Sequence, residues 1–107
     1  MGKVDAIRNQ DIKRVLMGIP KNHKHLRVCI ELKNGINLVF QEATIANISR
    51  AYITLKTHPH IGAQELKMKA ANIEQLKEGY TKHQLLETSK VHEEIEEELE
   101  KLLEALI

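Results

Sequence analysis

Residues 26–41 alternate between apolar and polar side chains on both sides of an Asn-Gly pair. The apolar set is Leu26, Val28, Ile30 and Leu32 before the pair and Ile36, Leu38 and Phe40 after it. A period of two places one set of side chains on one face of a strand, and Asn-Gly favours a type I′ turn because both central residues need positive φ. The segment therefore predicts a half-buried β-hairpin, which commits the chain to an antiparallel sheet.

The length and the aromatic content limit the core that this sheet can build. A chain of 107 residues is the size of one domain. Its aromatic residues are Phe40, Tyr52 and Tyr80, so aliphatic side chains must form the core. Each contributes about 1.5–3 kcal/mol when buried, whereas ordering the backbone costs about 1–2 kcal/mol per residue. The sequence thus predicts a marginal monomer that self-association would stabilise.

The segments on either side of the hairpin predict a helix first and an ambiguous stretch afterwards. Apolar residues spaced by three and four predict an amphipathic helix over 4–17, ended by Gly18 and Pro20. Residues after 41 fit a helix by their spacing and a strand by their β-branched content. A helical turn near 42–50 that runs into a strand at 51–57 is the preferred interpretation.

The remaining segments complete a prediction of an α+β fold. Alternation over 64–70 predicts a strand paired with 51–57, and Asn72 is placed to cap a short helical turn that ends at Gly79. Thr81 resembles the start of a capping box, which predicts a helix from there nearly to the C-terminus. The expected architecture is an N-terminal helix, an antiparallel sheet of about four strands and a long C-terminal helix.

Charge is segregated along the chain. Residues 1–82 carry fourteen Lys and Arg against seven Asp and Glu, a net charge of +7, whereas the rest carries two Lys against eight Glu, a net charge of −6. We therefore divide the single domain into a basic part, 1–80, and an acidic C-terminal helix, 81–107. A basic surface attracts polyanions, and an acidic helix competes with them for it.

The acidic helix carries an apolar seam. Its members, spaced by four, three and four residues, are Ile95, Leu99, Leu102 and Leu106. This spacing is typical of a coiled-coil contact. A parallel zipper would bring Glu96 and Glu98 close to like charges, so an antiparallel pairing or docking on the basic part of a neighbouring subunit fits better. A simple solvated helix packed on its own domain is the other interpretation. The prediction is a homo-oligomer.

Five basic residues form the candidate polyanion-binding face. They are Lys21, Lys24, Arg27, Lys67 and Lys69. Lys and Arg that neutralise phosphates release condensed counterions, which gives affinity that depends on salt and not on base sequence. The alternative is that they are ordinary solvated surface residues. Because aromatic platforms for base stacking are scarce, the composition favours backbone contacts over base readout.

Two His-x-His pairs, His23 with His25 and His58 with His60, are the candidate metal ligands. Two residues apart on a strand, such side chains point to one side, as chelation requires. His58 and His60 flank Pro59, which stiffens that stretch and favours it as the metal pair. Surface histidines in loops are the competing interpretation, and the sequence predicts no cofactor.

The sequence contains no Gly-rich phosphate loop, no Gly-x-Ser-x-Gly elbow and no Cys-x-x-Cys. The lone Cys29 and the lack of a secretory signal near Met1 favour a cytoplasmic setting, and no apolar stretch is long enough to span a membrane. The resulting prediction is a non-catalytic binding or assembly module that self-associates, with a basic face suited to nucleic acid or another polyanion. The alternative is a small enzyme whose histidine-containing site forms at a subunit interface.

Overall fold

The computed structural model describes residues 5–106. The predicted α+β class is confirmed, but the predicted single sheet of about four strands is wrong, because the described strands form two antiparallel sheets, one of three strands and one of two. In chain order, the described part contains a short 3-10 helix (Asn9–Asp11), β1 (Ile12–Gly18), β2 (Arg27–Leu32), β3 (Asn37–Gln41), α1 (Glu42–Thr57), β4 (Leu66–Ala70), α2 (Ile73–Lys77), β5 (His83–Glu87) and α3 (His92–Glu104). The order of strands is β1-β2-β3 in one sheet and β4-β5 in the other, and α1 contacts β2, β3 and β5. Helix α1 therefore connects the two sheets.

The hairpin predicted over 26–41 is confirmed as β2 and β3, which pair from Arg27 opposite Gln41 to Glu31 opposite Asn37. The predicted type I′ turn is wrong, because only Gly35, at φ 92°, has positive φ in it. The Gly35 N–H donates to the Leu32 carbonyl at 3.1 Å, and the Leu32 N–H donates to the Ile36 carbonyl at 2.9 Å. The side chain of Asn34 accepts from the Ile36 N–H at 3.0 Å, which stabilises the loop without positive φ at Asn34.

The predicted N-terminal helix over 4–17 is wrong, since Asn9–Asp11 is a short 3-10 helix and residues 12–17 belong to β1, which pairs antiparallel with β2. A register shift between Ile12 and Arg14 marks a β-bulge. Ile12 lies opposite Leu32 and Val15 opposite Ile30, so the bulge brings apolar residues three apart to one face of the sheet. That spacing imitates a helical period, which explains the error. Val4 lies outside the described residues.

The ambiguous region is one helix, and the predicted strand over 51–57 is wrong. The Thr residues of α1 are accommodated by bonds within the helix: the Thr54 hydroxyl donates to the Arg50 carbonyl at 3.1 Å and the Thr57 hydroxyl to the Ile53 carbonyl at 2.8 Å. The strand predicted over 64–70 is present as β4, but it pairs with β5 and not with 51–57.

The short helix after Asn72 is confirmed, with the Gln75 N–H donating to the Asn72 side chain at 2.8 Å and the Asn72 N–H to the Gln75 side chain at 3.0 Å. Gly79, at φ 93°, follows this helix. The predicted helix start at Thr81 is wrong: the chain forms β5 first, and the long C-terminal helix is only His92–Glu104. Gln84 does bond Thr81, but from a strand and not from a capping box.

Burial is concentrated on one face of the three-stranded sheet. Among the described apolar residues, Val28, Leu32 and Ala63 are buried. The hairpin residues Ile30, Leu38 and Phe40 are half-buried on the same face of the sheet as Val28 and Leu32. Across the described part of the chain, no helix combines the length and the apolar character needed to cross a membrane.

Candidate functional site

A cavity of about 390 Å³ lies where the three-stranded sheet, α1 and the turn before β5 meet. Tyr80 and Thr81 line the side formed by that turn. The ionisable and amide side chains of the lining are His25, Arg27, Gln41, Glu42, Asn47, Arg50, Glu78 and Gln84. A cavity of this volume falls within the range of about 300–1,000 Å³ that small-molecule sites occupy.

One wall of the cavity is a buried pair of amides. Asn47 is 8% exposed and Gln84 is 6% exposed, and they are the buried polar side chains of residues 5–106. The Asn47 Nδ2 donates to the Gln84 Oε1 at 3.3 Å, and the Gln84 Nε2 donates to the Thr81 Oγ1 at 2.8 Å and to the Thr81 carbonyl at 3.1 Å. Because buried amides are costly when unpaired, this chain of bonds fixes α1 against β5.

A second set of polar contacts closes the end of the cavity near the start of α1. The Nδ1 of His25 lies 3.1 Å from the Oε2 of Glu42, and the Leu26 N–H donates to the Oε1 of Glu42 at 3.4 Å. A carboxylate in the first turn of a helix is stabilised by the helix dipole. Glu42 therefore ties the loop before β2 to the N-terminal end of α1.

The structure divides the predicted polyanion-binding residues. Arg27 is half-buried in the cavity wall, where its Nη1 donates to the Leu26 carbonyl at 3.2 Å. Lys21 and Lys24 are exposed in the loop that leads to β2. Lys67 and Lys69 are exposed on β4, in the other sheet. The polyanion prediction stays a prediction. Of the five residues, Lys21, Lys24 and Arg27 lie in or next to the loop before β2, whereas Lys67 and Lys69 belong to the other sheet.

Arg50 is a cavity residue that the sequence reasoning missed. It follows Asn47 by three positions, which places both side chains on one face of α1. Both positions lie within the helical turn predicted over 42–50, so their spacing already places them on one face. The sequence does not show that the turn before β5 lies against that face, and this contact is what makes Arg50 a cavity residue.

The histidines lie apart from this cavity, except for His25. His58 is the C-cap residue of α1, with its backbone N–H donating to the Thr54 carbonyl at 2.9 Å, and His60 is exposed in the turn that follows. His23 is exposed in the loop before β2. In residues 5–106, no group of three or more His, Cys, Asp or Glu side chains is arranged to hold a metal ion. The metal prediction for His58 and His60 stays a prediction.

A polar cluster attaches α3 to the segments that flank the two-stranded sheet. The Lys90 Nζ lies 2.8 Å from the Glu98 Oε1 and 3.5 Å from the Glu65 Oε2, and the Thr88 hydroxyl donates to the Glu65 Oε1 at 2.9 Å. The hydrogen bond from Thr88, together with the charge of Lys90, holds the pKa of Glu65 below its ordinary value. The hydrogen bond to Glu98 raises the pKa of Lys90.

The apolar seam of α3 leaves this attachment and extends into solvent. Ile95 is half-buried, whereas Leu99 is 51% exposed and Leu102 43%. Leu106, predicted as the last seam residue, lies in the turn after the end of α3 and is 39% exposed. Leu103, beside the seam, is 54% exposed. The structure thus presents a helix whose leucine side chains are about half exposed over its second half.

Comparison with known proteins identifies no relative: no family model, no curated protein and no solved structure matches this chain.

Proposed function

We propose that this protein is a non-catalytic assembly module that functions as a homo-oligomer. The observation that supports the proposal is the amount of surface left exposed by the fold. The accessible surface is 8890 Å² for a chain of 12.3 kDa. A folded monomer of that mass exposes about 6,100 Å², so roughly 2,800 Å² is in excess.

The exposed surface is rich in large apolar side chains, which monomers rarely gather into extended patches. The radius of gyration, 16.3 Å, also exceeds the value of about 13 Å for a compact chain of this length. Obligate homodimer interfaces bury about 2,000–5,000 Å² in total. The excess surface is therefore sufficient for a permanent contact between copies.

The seam of α3 is the surface through which we expect much of this contact. Its exposed leucines lie on a helix with acidic flanks, while the rest of the chain is basic. Docking α3 on the basic part of a neighbouring copy buries the leucines and pairs opposite charges. Parallel pairing of two acidic helices would bring like charges together.

The assembly proposal is tested by exchanging Leu99 and Leu102 together for Gln. We expect the mass measured by light scattering to fall by at least half, because the exposed part of the seam loses its apolar character. The control exchanges Glu97 and Lys101 for Gln, which changes the opposite face of α3 and leaves the net charge unaltered. A wild-type protein that is monomeric at all concentrations contradicts the proposal.

We further propose that the loop before β2 binds nucleic acid or another polyanion. Lys21 and Lys24 are exposed there, and His25 and Arg27 continue the same stretch into the cavity. The support is that two exposed lysines of the loop, Lys21 and Lys24, are followed along the chain by Arg27 in the cavity wall. Contacts to phosphates require no aromatic platform, which suits a chain with few aromatic residues.

Exchanging Lys21 and Lys24 for Gln tests the second proposal. We expect binding to weaken equally for RNA and DNA of different sequence, and the slope of log K against log salt to become shallower by about one for each phosphate that is no longer neutralised. Exchanging Lys67 and Lys69 for Gln, on the other sheet, is the matched comparison that shows whether β4 contributes. No binding by the wild-type protein at about 50 mM salt, where phosphate contacts are strong, contradicts this proposal.

A further inference from the structure

We propose that β1 is an assembly edge to which a second copy of this chain adds its own β1 in antiparallel orientation, so that two three-stranded sheets form one six-stranded sheet. The inference rests on the proposed self-association and assigns it a second surface, separate from α3.

Strand β1 lies at an open edge of its sheet. It pairs with β2 on one side, and no strand of the described chain pairs with the other side. All of its residues from Lys13 to Gly18 are exposed. An edge strand offers a row of unpaired N–H and C=O groups, which makes it a template for another strand.

The two halves of β1 differ in how they protect this edge. The first half has the bulge after Ile12 and the charged side chains of Lys13 and Arg14, which are devices that natural sheets use against edge pairing. The second half has none of these: Val15 is 47% exposed, Leu16 46% and Met17 65%. The unprotected and apolar half is therefore where a second strand adds.

The side chains of β1 favour one register. A twofold axis at Leu16 places Val15 opposite Met17 of the second copy and Arg14 opposite Gly18 of the second copy. The paired stretch is then free of the bulge, and like charges do not face each other. An axis at Arg14 would place two arginines in direct opposition, which destabilises an antiparallel pair. Pairing about a twofold axis is isologous and closes as a dimer contact.

The outer face of the sheet supports a second copy as the occupant. Leu16, Cys29 and Val39 lie opposite one another across β1, β2 and β3. The twofold axis at Leu16 continues this row into the same row of the second copy, which gives one apolar row across six strands. Arg14, at the end of the paired stretch, already forms a 2.6 Å ion pair with Glu31 on β2. Its charge is therefore partly neutralised on its own sheet.

The test exchanges Leu16 for Lys in one full-length variant and for Glu in another. We expect each variant alone to have half the wild-type mass by sedimentation, because like charges meet at the axis. An equimolar mixture of the two is expected to recover the wild-type mass. Val39→Lys is the matched control, since Val39 is 67% exposed on the same face but on the other edge strand, β3. Its mass should remain that of the wild type.

A cysteine cross-link tests the register without adding charge. In a Cys29→Ser background, Leu16→Cys should form an intermolecular disulfide on mild oxidation, because residues opposite each other in antiparallel strands have Cα atoms about 4.5–5.5 Å apart, within disulfide range. Val39→Cys in the same background should not. If wild-type protein is a monomer, both the assembly proposal and this inference fail. If it is an oligomer whose mass is insensitive to Leu16→Lys and Leu16→Glu and that yields no Leu16→Cys cross-link, only the inference fails.

Discussion

The two halves of the molecule are held together by different kinds of contact. In the N-terminal half, β1 to α1, the apolar face of the hairpin is covered, with Val28 3% exposed and Leu32 8% exposed. In the C-terminal half, β4 to α3, Ala63, just before β4, is the apolar side chain that is buried, and the buried residue of β5 is the polar Gln84. The N-terminal half thus contains the apolar core, whereas the C-terminal half is held together mainly through hydrogen bonds and ion pairs.

This difference bears on stability and on assembly. Apolar burial contributes a large and non-directional free energy, whereas a net hydrogen bond contributes about 0.5–1.5 kcal/mol and an exposed ion pair less. The two-stranded sheet of the C-terminal half is marginal by itself in water. Covering the exposed leucines of α3 in the proposed assembly would add apolar burial to this half.

The largest effect is expected from the apolar core. Leu32→Ala should lower the free energy of unfolding by about 2–4 kcal/mol, since it removes buried methyl groups and leaves a cavity. The matched substitution in the C-terminal half is Leu76→Ala on α2, where the side chain is 47% exposed. There we expect a decrease below about 1 kcal/mol. Urea unfolding measures both, and equal decreases would contradict the contrast between the halves.

A smaller effect is expected from the amide pair that joins the halves. Gln84→Ala should lower the free energy of unfolding by about 1–3 kcal/mol, because it leaves Asn47 buried without its partner. A double-mutant cycle with Asn47→Ala separates the bond from the rest of each side chain, and a coupling of about 0.5–3 kcal/mol is expected. Gln64→Ala, which removes a half-buried amide in the loop before β4, is the comparison. A coupling near zero would show that the contact does not hold α1 to β5.

The sequence predicts the elements that local patterns determine, and these elements occur in both halves of the molecule. Apolar side chains at alternate positions over 26–41 mark the face of the strands that becomes buried, so the hairpin can be predicted from them. Asn72 caps a helix through local bonds, so that helix can be predicted too. In contrast, the bulge of β1 changes a period of two into an apparent period of three, which no local rule distinguishes from a helix.

Most cavity residues cannot be predicted from the sequence, because the cavity forms only when segments distant in the chain pack together. Asn47 and Gln84 are separated by 37 positions and meet only when α1 packs against β5. Charge clustering points to Arg27 and not to Arg50, yet both line the cavity. Because a helix is predicted to start at Thr81, the strand β5 at His83–Glu87 is not predicted, and neither is its pairing with β4. Strand pairing between distant segments overrides local propensity there.

The smallest effect is expected at the cluster that attaches α3. The Thr88 hydrogen bond and the charge of Lys90 lower the pKa of Glu65. The ionised carboxylate of Glu65 therefore stabilises the folded state at pH values above its ordinary pKa of 4.5. That contribution is lost as the pH falls from 4.5 through the lowered pKa. Lys90 has a raised pKa, so its contribution to stability is fully present at pH values below its ordinary pKa of 10.5 and is lost as the pH rises through the raised pKa.

Glu65→Gln should therefore destabilise the protein slightly at pH 7 and have no effect once the pH is below the folded-state pKa of Glu65. Hydrogen exchange of the first turns of α3 and urea unfolding at both pH values measure the difference. Glu97→Gln, which removes the same charge from the exposed face of α3, should show no comparable dependence. A difference between Glu65→Gln and wild type that persists unchanged in acid would mean that α3 is attached by its apolar contacts at Ile95 and not by this cluster.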